Sequence, residues 1–289
     1  MAPRFVFTEP VGLRLRIRYK LAEMKEASRE RLAGALQVVG LLGPTSRLRQ
    51  HYLALRGSVA VNGAGDDGPP LPPASLRVLV DGRSADAHRF LRIGEQSSRR
   101  VRQALAAVGV ELEALDRVLD FGCGCGRVAR HWSTMEGPEI HGCDHNPRLA
   151  AWCERNLPFM RISRNDLAPP TEYADDSFDL IYALSVFTHL PESLQMAWMA
   201  EFRRILRPGG TLLFTTFGDR AKPRLGARDR ADFESGRLVV KRPNMAGSNL
   251  CIALHPYAYV TNGLLGDLSL LSFIEASSPS GQDTYVARR

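Results

Sequence analysis

The sequence predicts an α/β protein built on a mostly parallel sheet. Short apolar runs suited to buried strands alternate with stretches of helical spacing. The first of these runs leads through three closely spaced glycines into a helix-like pattern, which is the order strand, tight turn, helix. Two further apolar runs near the C-terminus add strands to the sheet. The runs lie at 117–121, 139–143, 159–163, 178–184, 211–217, 268–275 and 283–287.

The glycines belong to the stretch Asp120-Phe-Gly-Cys-Gly-Cys-Gly126. Glycine suits a sharp turn against which a ligand lies, because no Cβ stands in the way. A dinucleotide-binding loop would have its third glycine at position 127, where this chain has Arg127. The carboxylate of Asp120 would repel a pyrophosphate but attract a ligand that carries an ammonium group and a sulfonium. The loop therefore favours a cationic ligand over a dinucleotide.

Polar residues follow the second and third predicted strands. The second strand ends at Asp144, whose carboxylate can accept hydrogen bonds from both hydroxyls of a ribose. The third ends at Asn165-Asp166-Leu167. An acid or amide there can bind the adenine amino group while an apolar neighbour stacks on the ring, although Asp166 can equally cap a turn. These strand ends predict a nucleoside site.

The fourth and fifth predicted strands are joined by a long helix. Ala183 lies near the end of the fourth strand, and residues 185–190 follow at its carboxyl end, where open α/β sheets place their ligands. The helix runs from Pro191 to Leu206. The next residues, Arg207-Pro208-Gly209-Gly210, predict a type II turn into the fifth strand.

These motifs, in this order, resemble those of the class I S-adenosylmethionine (SAM)-dependent methyltransferases over about residues 86–217. The resemblance is carried by the glycine loop, Asp144, Asn165-Asp166, Phe178-Asp179-Leu180-Ile181 and the Arg-Pro-Gly-Gly turn. It implies a Rossmann-like sheet of seven strands with helices on both faces, in which the last strand lies between the fifth and sixth. It implies SAM as the cofactor. The implied cofactor-binding residues are Asp120, Gly122, Cys123, Gly124, Gly126, Asp144, His145, Asn146, Asp166, Leu167 and Ala183.

The acceptor is expected to be a small molecule methylated on oxygen or nitrogen. From residue 76 onward the pattern resembles bacterial small-molecule methyltransferases, whose relatives are associated with natural-product or saccharide pathways. Residues 218–255 are basic and too long for a simple connection, which predicts an insertion that caps the active site. His189, after the fourth strand, and His255, at the end of the insertion, are the candidate catalytic bases. A structural role is the alternative for each.

The N-terminal region is predicted to be a basic extension and linker, residues 1–73, ahead of a methyltransferase domain at 74–289. Residues 1–60 hold 11 Lys+Arg and 4 Asp+Glu, which leaves 27 residues of each sign in the rest of the chain. Helical spacing at 21–42 and 46–56 predicts a helical extension, and 76–80 predicts a short strand. We favour a solvated extension or small helical cap over docking to nucleic acid, to an acidic partner or to an anionic membrane.

Composition limits the remaining classes. The longest nearly apolar run, 32–42, is shorter than the roughly 20 residues that span a bilayer, and no signal-peptide pattern opens the chain. Five cysteines fit reduced thiols in a cytoplasm. Cys123-x-Cys125 lacks a second Cys or His pair, so no metal is expected. The alternatives are an RNA or protein methyltransferase that uses the basic N-terminus, a nicotinamide oxidoreductase, and a SAM-fold protein without turnover.

Overall fold

The computed structural model describes residues 42–58, 68–276, 278 and 280–289. The chain separates into two compact units, 1–49 and 50–289. Nearly all of the helix expected at 21–42 lies outside the described residues. Helix α1, Leu42–Ser58, confirms the second predicted helix of the N-terminal region.

A seven-stranded sheet forms the centre of the larger unit. Its strand order is β3-β2-β1-β4-β5-β9-β8. Strands β1 to β5 are parallel, whereas β9 is antiparallel to both β5 and β8. This order confirms the Rossmann-like sheet, with the last strand inserted between its two predecessors. The strands are β1 Arg117–Phe121, β2 Glu139–Asp144, β3 Met160–Arg164, β4 Phe178–Ala183, β5 Leu206–Thr216, β8 Ser269–Ile274 and β9 Asp283–Arg288.

Helices pack on both faces of the sheet. Alternate residues of a strand point to opposite faces. Val118 and Leu180 accordingly join one apolar cluster, which includes residues of α3 and α4, while Leu119 and Ile181 join a second, which includes residues of α5. These helices are α2 Ala74–Asp81, α3 Ala87–Ala106, α4 Pro147–Asn156 and α5 Glu192–Ile205.

Two local predictions are wrong. Residues 76–80 lie in helix α2, which begins after Pro73 and ends where Gly82 adopts a left-handed conformation with φ of 70°. An apolar run this short fits a buried helix as well as a strand, so its pattern could not decide between them. The helix expected after the glycine loop is only a 3₁₀ turn, Ala129–Trp132.

The Arg-Pro-Gly-Gly turn lies within β5. Gly209 has φ of 80°, as the third residue of a type II turn requires. The turn interrupts the register with β4, because Phe178 pairs with Leu206 and Leu180 pairs with Thr211. Strand five therefore begins earlier than expected and contains the turn as an irregularity.

Residues 218–255, which the sequence predicts to be an insertion, have their own small apolar core. This segment contains the 3₁₀ helix Asp219–Arg224, helix α6 at Ala227–Glu234, and a two-stranded antiparallel sheet of β6, Val239–Lys241, and β7, Ile252–Leu254. Helix α7, Tyr257–Tyr259, continues as a π-helical turn, Val260–Leu264. Within the described residues, no helix is long and apolar enough to cross a membrane.

Candidate cofactor and acceptor site

The glycine loop closes tightly over the end of β1. Gly122, Gly124 and Gly126 have φ of 72°, 60° and 70°, which L side chains rarely adopt. A Cβ on Gly124 would lie 2.8 Å from Val80 of helix α2, and one on Gly126 would collide with Leu157. The loop is therefore held between α2 and the end of α4 and has no room for any side chain at these positions.

Asp120 is buried beside this loop with an unsatisfied oxygen. The residue is 4% exposed, and its Oδ2 has no hydrogen-bond partner among the described residues. Burial raises the pKa of Asp120 to about 7, while the Tyr182 hydroxyl favours the ionised form, Asp144 opposes it, and Arg127 favours it. An anionic oxygen in this setting can bind a ligand cation.

Arg127 is the residue that the sequence reasoning passed over. It follows the last glycine, its side chain is 18% exposed, and its nearest carboxylate, Asp81 of α2, lies 4.0 Å from Nη1. Its Nε is buried with no partner within the described part of the chain. Burial lowers the pKa of Arg127, and Asp81 is the main opposing influence. Unsatisfied groups of opposite sign, Asp120 Oδ2 and Arg127 Nε, thus flank the glycine loop.

Asp144 meets the loop from the end of β2. Its Oδ2 accepts the N–H of Gly124 at 2.9 Å, and its Oδ1 accepts the N–H of Asn146 at 2.8 Å. Burial raises the pKa of Asp144, whereas the Asn146 N–H, His145 and the Gly124 N–H act in the opposite direction. A carboxylate offers about four acceptor positions, so further hydrogen bonds to a diol fit this group.

The neighbouring predicted residues divide between the site and the scaffold. Asn146 caps helix α4 by accepting the N–H of Arg148 at 3.1 Å. Cys123 contributes its backbone: its N–H donates to the Cys143 carbonyl at 3.0 Å, and its side chain is buried in the apolar core. Ala183 is completely buried at the end of β4. These three residues shape the site, and their side chains are engaged elsewhere.

After β3, the structure favours Asn165 over Asp166 as the buried polar group. Asp166 is exposed, while Asn165 is 9% exposed and its Oδ1 has no partner among the described residues. Leu167 is 38% exposed, so its side chain is accessible for stacking on the adenine ring of a bound nucleoside. The sequence identified this tripeptide but could not tell which of its two polar residues turns inward.

His189 lies where the insertion meets the end of β4. Its Nδ1–H donates to the Cys251 carbonyl at 2.7 Å, which leaves the lone pair on Nε2. Its own carbonyl accepts the N–H of Gly247 at 2.9 Å. Burial lowers the pKa of His189, and the bond to Cys251 opposes that change. The imidazole is thus held as a neutral tautomer of fixed orientation.

Residues 247–251, which we call the strap, join several parts of this region. A Cβ on Gly247, whose φ is 73°, would lie 2.6 Å from Leu167 and 2.8 Å from His145. Asn249 donates to the Leu79 carbonyl of helix α2 at 2.7 Å. The strap therefore contacts residues that follow β2, β3 and β4.

His255 does not share this environment. It is completely buried, and its Nε2–H donates to Oε1 of Gln195 at 3.0 Å. Gln195 in turn donates to the carbonyls of Phe187 and Leu190, on either side of His189. Burial lowers the pKa of His255 to about 3, which is too low for an effective base near neutral pH. The geometry gives His255 a supporting position, against the expected catalytic one.

Comparison with known proteins agrees with this geometry. Residues 118–210 match a family described as a methyltransferase domain. A malonyl-[acyl-carrier protein] O-methyltransferase of Enterobacter lignolyticus is 29% identical over 200 residues, which cover 69% of this chain and 73% of that protein. The methyltransferase GfsG of Streptomyces halstedii is 34% identical over 36% of this chain and 38% of its own length.

The chain belongs to the class I SAM-dependent methyltransferases. Two solved structures share the fold with a TM-score of 0.50. One is a SAM-dependent methyltransferase from Mesorhizobium loti, 19% identical over 65% of this chain and 96% of that one. The other is the Burkholderia thailandensis 1,6-didemethyltoxoflavin-N1-methyltransferase with bound 1,6-didemethyltoxoflavin and S-adenosylhomocysteine, 17% identical over 73% of this chain and 84% of that one.

SAM is the cofactor of this methyltransferase, and the residues present fit it. The three glycines adopt the positive φ angles of a sharp turn at the end of β1, and the unsatisfied Asp120 oxygen beside them suits an ammonium group. No group of three or more His, Cys, Asp or Glu side chains in the described part of the chain is arranged to hold a metal ion. The five cysteines are all free thiols.

Proposed function

We propose that this methyltransferase transfers the methyl group of SAM to an oxygen or nitrogen of a small-molecule acceptor, with His189 as the general base. The observation that carries the proposal is the placement of His189 between the end of β4 and the strap, with its tautomer fixed by the Cys251 carbonyl. SAM supplies an electrophilic methyl group on a sulfonium. The protein has to hold the acceptor against that methyl and remove a proton.

We infer that the two ends of SAM are held by different parts of the site. Asp144 accepts the ribose hydroxyls, and Asn165 accepts the adenine amino group. Asp120 pairs with the methionyl ammonium, and Arg127 with the methionyl carboxylate. Support comes from the unsatisfied atoms Asp120 Oδ2, Arg127 Nε and Asn165 Oδ1, since each is buried and leaves hydrogen-bonding capacity unused.

The insertion is proposed to cap the acceptor space. Its strap contacts Leu167 and His145, which follow β3 and β2, and it is bonded to His189 after β4. Excluding water from this space would strengthen every charged interaction in it. Positioning the acceptor can contribute about 7–11 kcal/mol of barrier reduction, and a general base contributes about 10²–10⁴-fold.

The small-molecule class is supported by what two relatives are named for. The Burkholderia protein binds 1,6-didemethyltoxoflavin, and the Enterobacter protein is named as an O-methyltransferase of malonyl-[acyl-carrier protein]. We also propose a cytoplasmic location, because five buried free thiols fit a reducing compartment.

The experiment that tests the proposal uses SAM with an isotopically labelled methyl group. The full chain is incubated with small-molecule extracts, and products are followed by mass spectrometry. Label should enter a small molecule, and His189→Ala should lower the initial rate by about 10²–10⁴-fold while affinity for S-adenosylhomocysteine is retained. Label found only in RNA or protein would refute the small-molecule acceptor. A His189→Ala rate equal to wild type would refute the base.

A further inference from the structure

The chain makes an unusual turn immediately before the segment that carries His189. Ser185 follows the end of β4 and has φ of 60°, in the left-handed region that residues other than glycine seldom adopt. The 3₁₀ turn Phe187–His189 begins two residues later. The backbone conformation of Ser185 therefore decides the direction in which His189 leaves the sheet.

A buried hydrogen-bond network holds Ser185 in this conformation. The N–H of Ser185 donates to Oγ1 of Thr215 at 2.8 Å. The hydroxyls of Ser185 and Thr215 both donate to Oε1 of Gln282, at 2.9 Å and 2.8 Å. Thr215 is 2% exposed and Gln282 is 3% exposed. The amide oxygen of Gln282 thus accepts hydrogen bonds from two side chains, one that follows β4 and one in β5.

Gln282 is itself anchored in the connection that leads into β9. Its N–H donates to the hydroxyl of Ser278 at 2.8 Å, and its carbonyl accepts the N–H of Ser278 at 3.0 Å. The Ser185 carbonyl accepts the hydroxyl of Thr188 at 3.0 Å, which ties the network to the turn beyond it. A continuous set of hydrogen bonds therefore runs from the connection that precedes β9 to Thr188, the residue next to His189.

We propose that Gln282 is a positioning residue, which acts through Ser185 and Thr215 to fix the orientation of His189 for proton removal. The inference rests on the proposed function of His189. The strap holds the imidazole from one side through the Cys251 carbonyl, and the Gln282 network fixes the backbone from the other. Loss of the Gln282 oxygen leaves the buried Thr215 hydroxyl and the half-buried Ser185 hydroxyl without their acceptor, and it removes what stabilises the Ser185 turn.

The test compares Gln282→Met, which keeps an unbranched side chain but loses the acceptor, with Gln282→Glu, which keeps an acceptor oxygen. Full-length protein is labelled with ¹⁵N-histidine, and nitrogen chemical shifts are followed against pH. In the wild type, the His189 signal should be that of the neutral form protonated on Nδ1. In Gln282→Met it should change to a mixture of tautomers, and Gln282→Glu should restore the wild-type pattern.

His141 of β2 is the internal control, because its hydrogen bond is to Glu139 of the same strand, whereas His255 reaches the turn at His189 through Gln195. The His141 signals should be the same in all three proteins. An unchanged His189 signal in Gln282→Met would overturn the proposal. Equal changes at His189 and His141 would also overturn it, because they would mean a general structural role for Gln282. The spectra do not depend on an acceptor, so failure of methyl transfer in the wild type would refute the proposed function separately.

Discussion

Arg127 gives the sharpest prediction about the cofactor site, because its partner is one chemical group of SAM. Replacing it by methionine keeps much of the aliphatic chain but removes the guanidinium. If the guanidinium binds the methionyl carboxylate, Arg127→Met should weaken S-adenosylhomocysteine, which carries that group. It should leave 5′-methylthioadenosine unaffected, because that ligand retains the adenosine and the thioether but lacks the amino-acid end.

The expected size follows from the surroundings of the side chain. Arg127 is 18% exposed, and its only carboxylate neighbour among the described ion pairs, Asp81, is 4.0 Å away and beyond hydrogen-bond distance. A hydrogen bond to a charged group is worth roughly 1.5–3 kcal/mol, so the affinity for S-adenosylhomocysteine should fall about 10- to 150-fold. Affinity for 5′-methylthioadenosine should stay within about twofold, which is less than 0.5 kcal/mol.

Titration calorimetry of both ligands against both proteins is the assay. Arg89→Met is the matched control, because Arg89 also pairs with Asp81, at 3.0 Å, and its side chain is 40% exposed. It should bind both ligands like the wild type. Equal weakening of the two ligands by Arg127→Met would refute the reasoning, since Arg127 would then act by supporting the loop. Equal weakening of S-adenosylhomocysteine binding by Arg127→Met and Arg89→Met would assign the effect to Asp81, which pairs with both arginines.

Four other predictions test the account. The pKa of Asp120 is about 7, and the ammonium group of a bound ligand favours the ionised carboxylate. The affinity for S-adenosylhomocysteine, measured by calorimetry, should therefore fall about tenfold from pH 8 to pH 6. Asp120→Asn should abolish this pH dependence, and an affinity that still falls with pH in the variant would exclude Asp120 as its source. Asp144→Ala should weaken the binding of S-adenosylhomocysteine about 10- to 150-fold. It should also lower the melting temperature of the free protein, because the hydrogen bonds from the N–H groups of Gly124 and Asn146 are lost. An affinity equal to that of the wild type would place the ribose elsewhere. In stopped-flow measurements Gly247→Ala should speed the release of S-adenosylhomocysteine. Gly236→Ala should not, because Gly236 has a similar φ of 84° but its Cβ would have its nearest neighbour 4.0 Å away. Equal release rates in the two variants would exclude the strap as a cap. A chain beginning at residue 74 should melt at a lower temperature than one beginning at residue 50, because α1 packs on α2 through a shared apolar cluster. Equal melting temperatures would mean that α1 does not contribute to stability.

The sequence was most informative where local chemistry decides the structure. The strand from 117 to 121 and the loop after it were predictable, because three glycines with positive φ have few alternatives. The position of Asp144 was predictable as well, because a residue at the end of the second strand lies at the edge of the sheet formed by the carboxyl ends of the parallel strands. Helix α2 was not, because a short apolar run carries no decisive period.

The contacts that complete the site were beyond sequence reasoning. His189 and Cys251 are 62 residues apart, and Ser185 and Gln282 are 97 apart. No local pattern marks either pair, because each depends on where the insertion and the last strand return to the sheet. For the same reason His255, which looked like a second base, could not be recognised as a support for the turn at His189.

The site between the glycine loop and Asp144 has to bind an adenosyl amino acid if SAM is the cofactor. Calorimetry of the full chain with S-adenosylhomocysteine and with NAD at pH 8 tests that requirement most directly. We expect S-adenosylhomocysteine to bind at one site per chain and NAD to give no saturable heat. Saturable binding of NAD together with no response to S-adenosylhomocysteine would contradict the account.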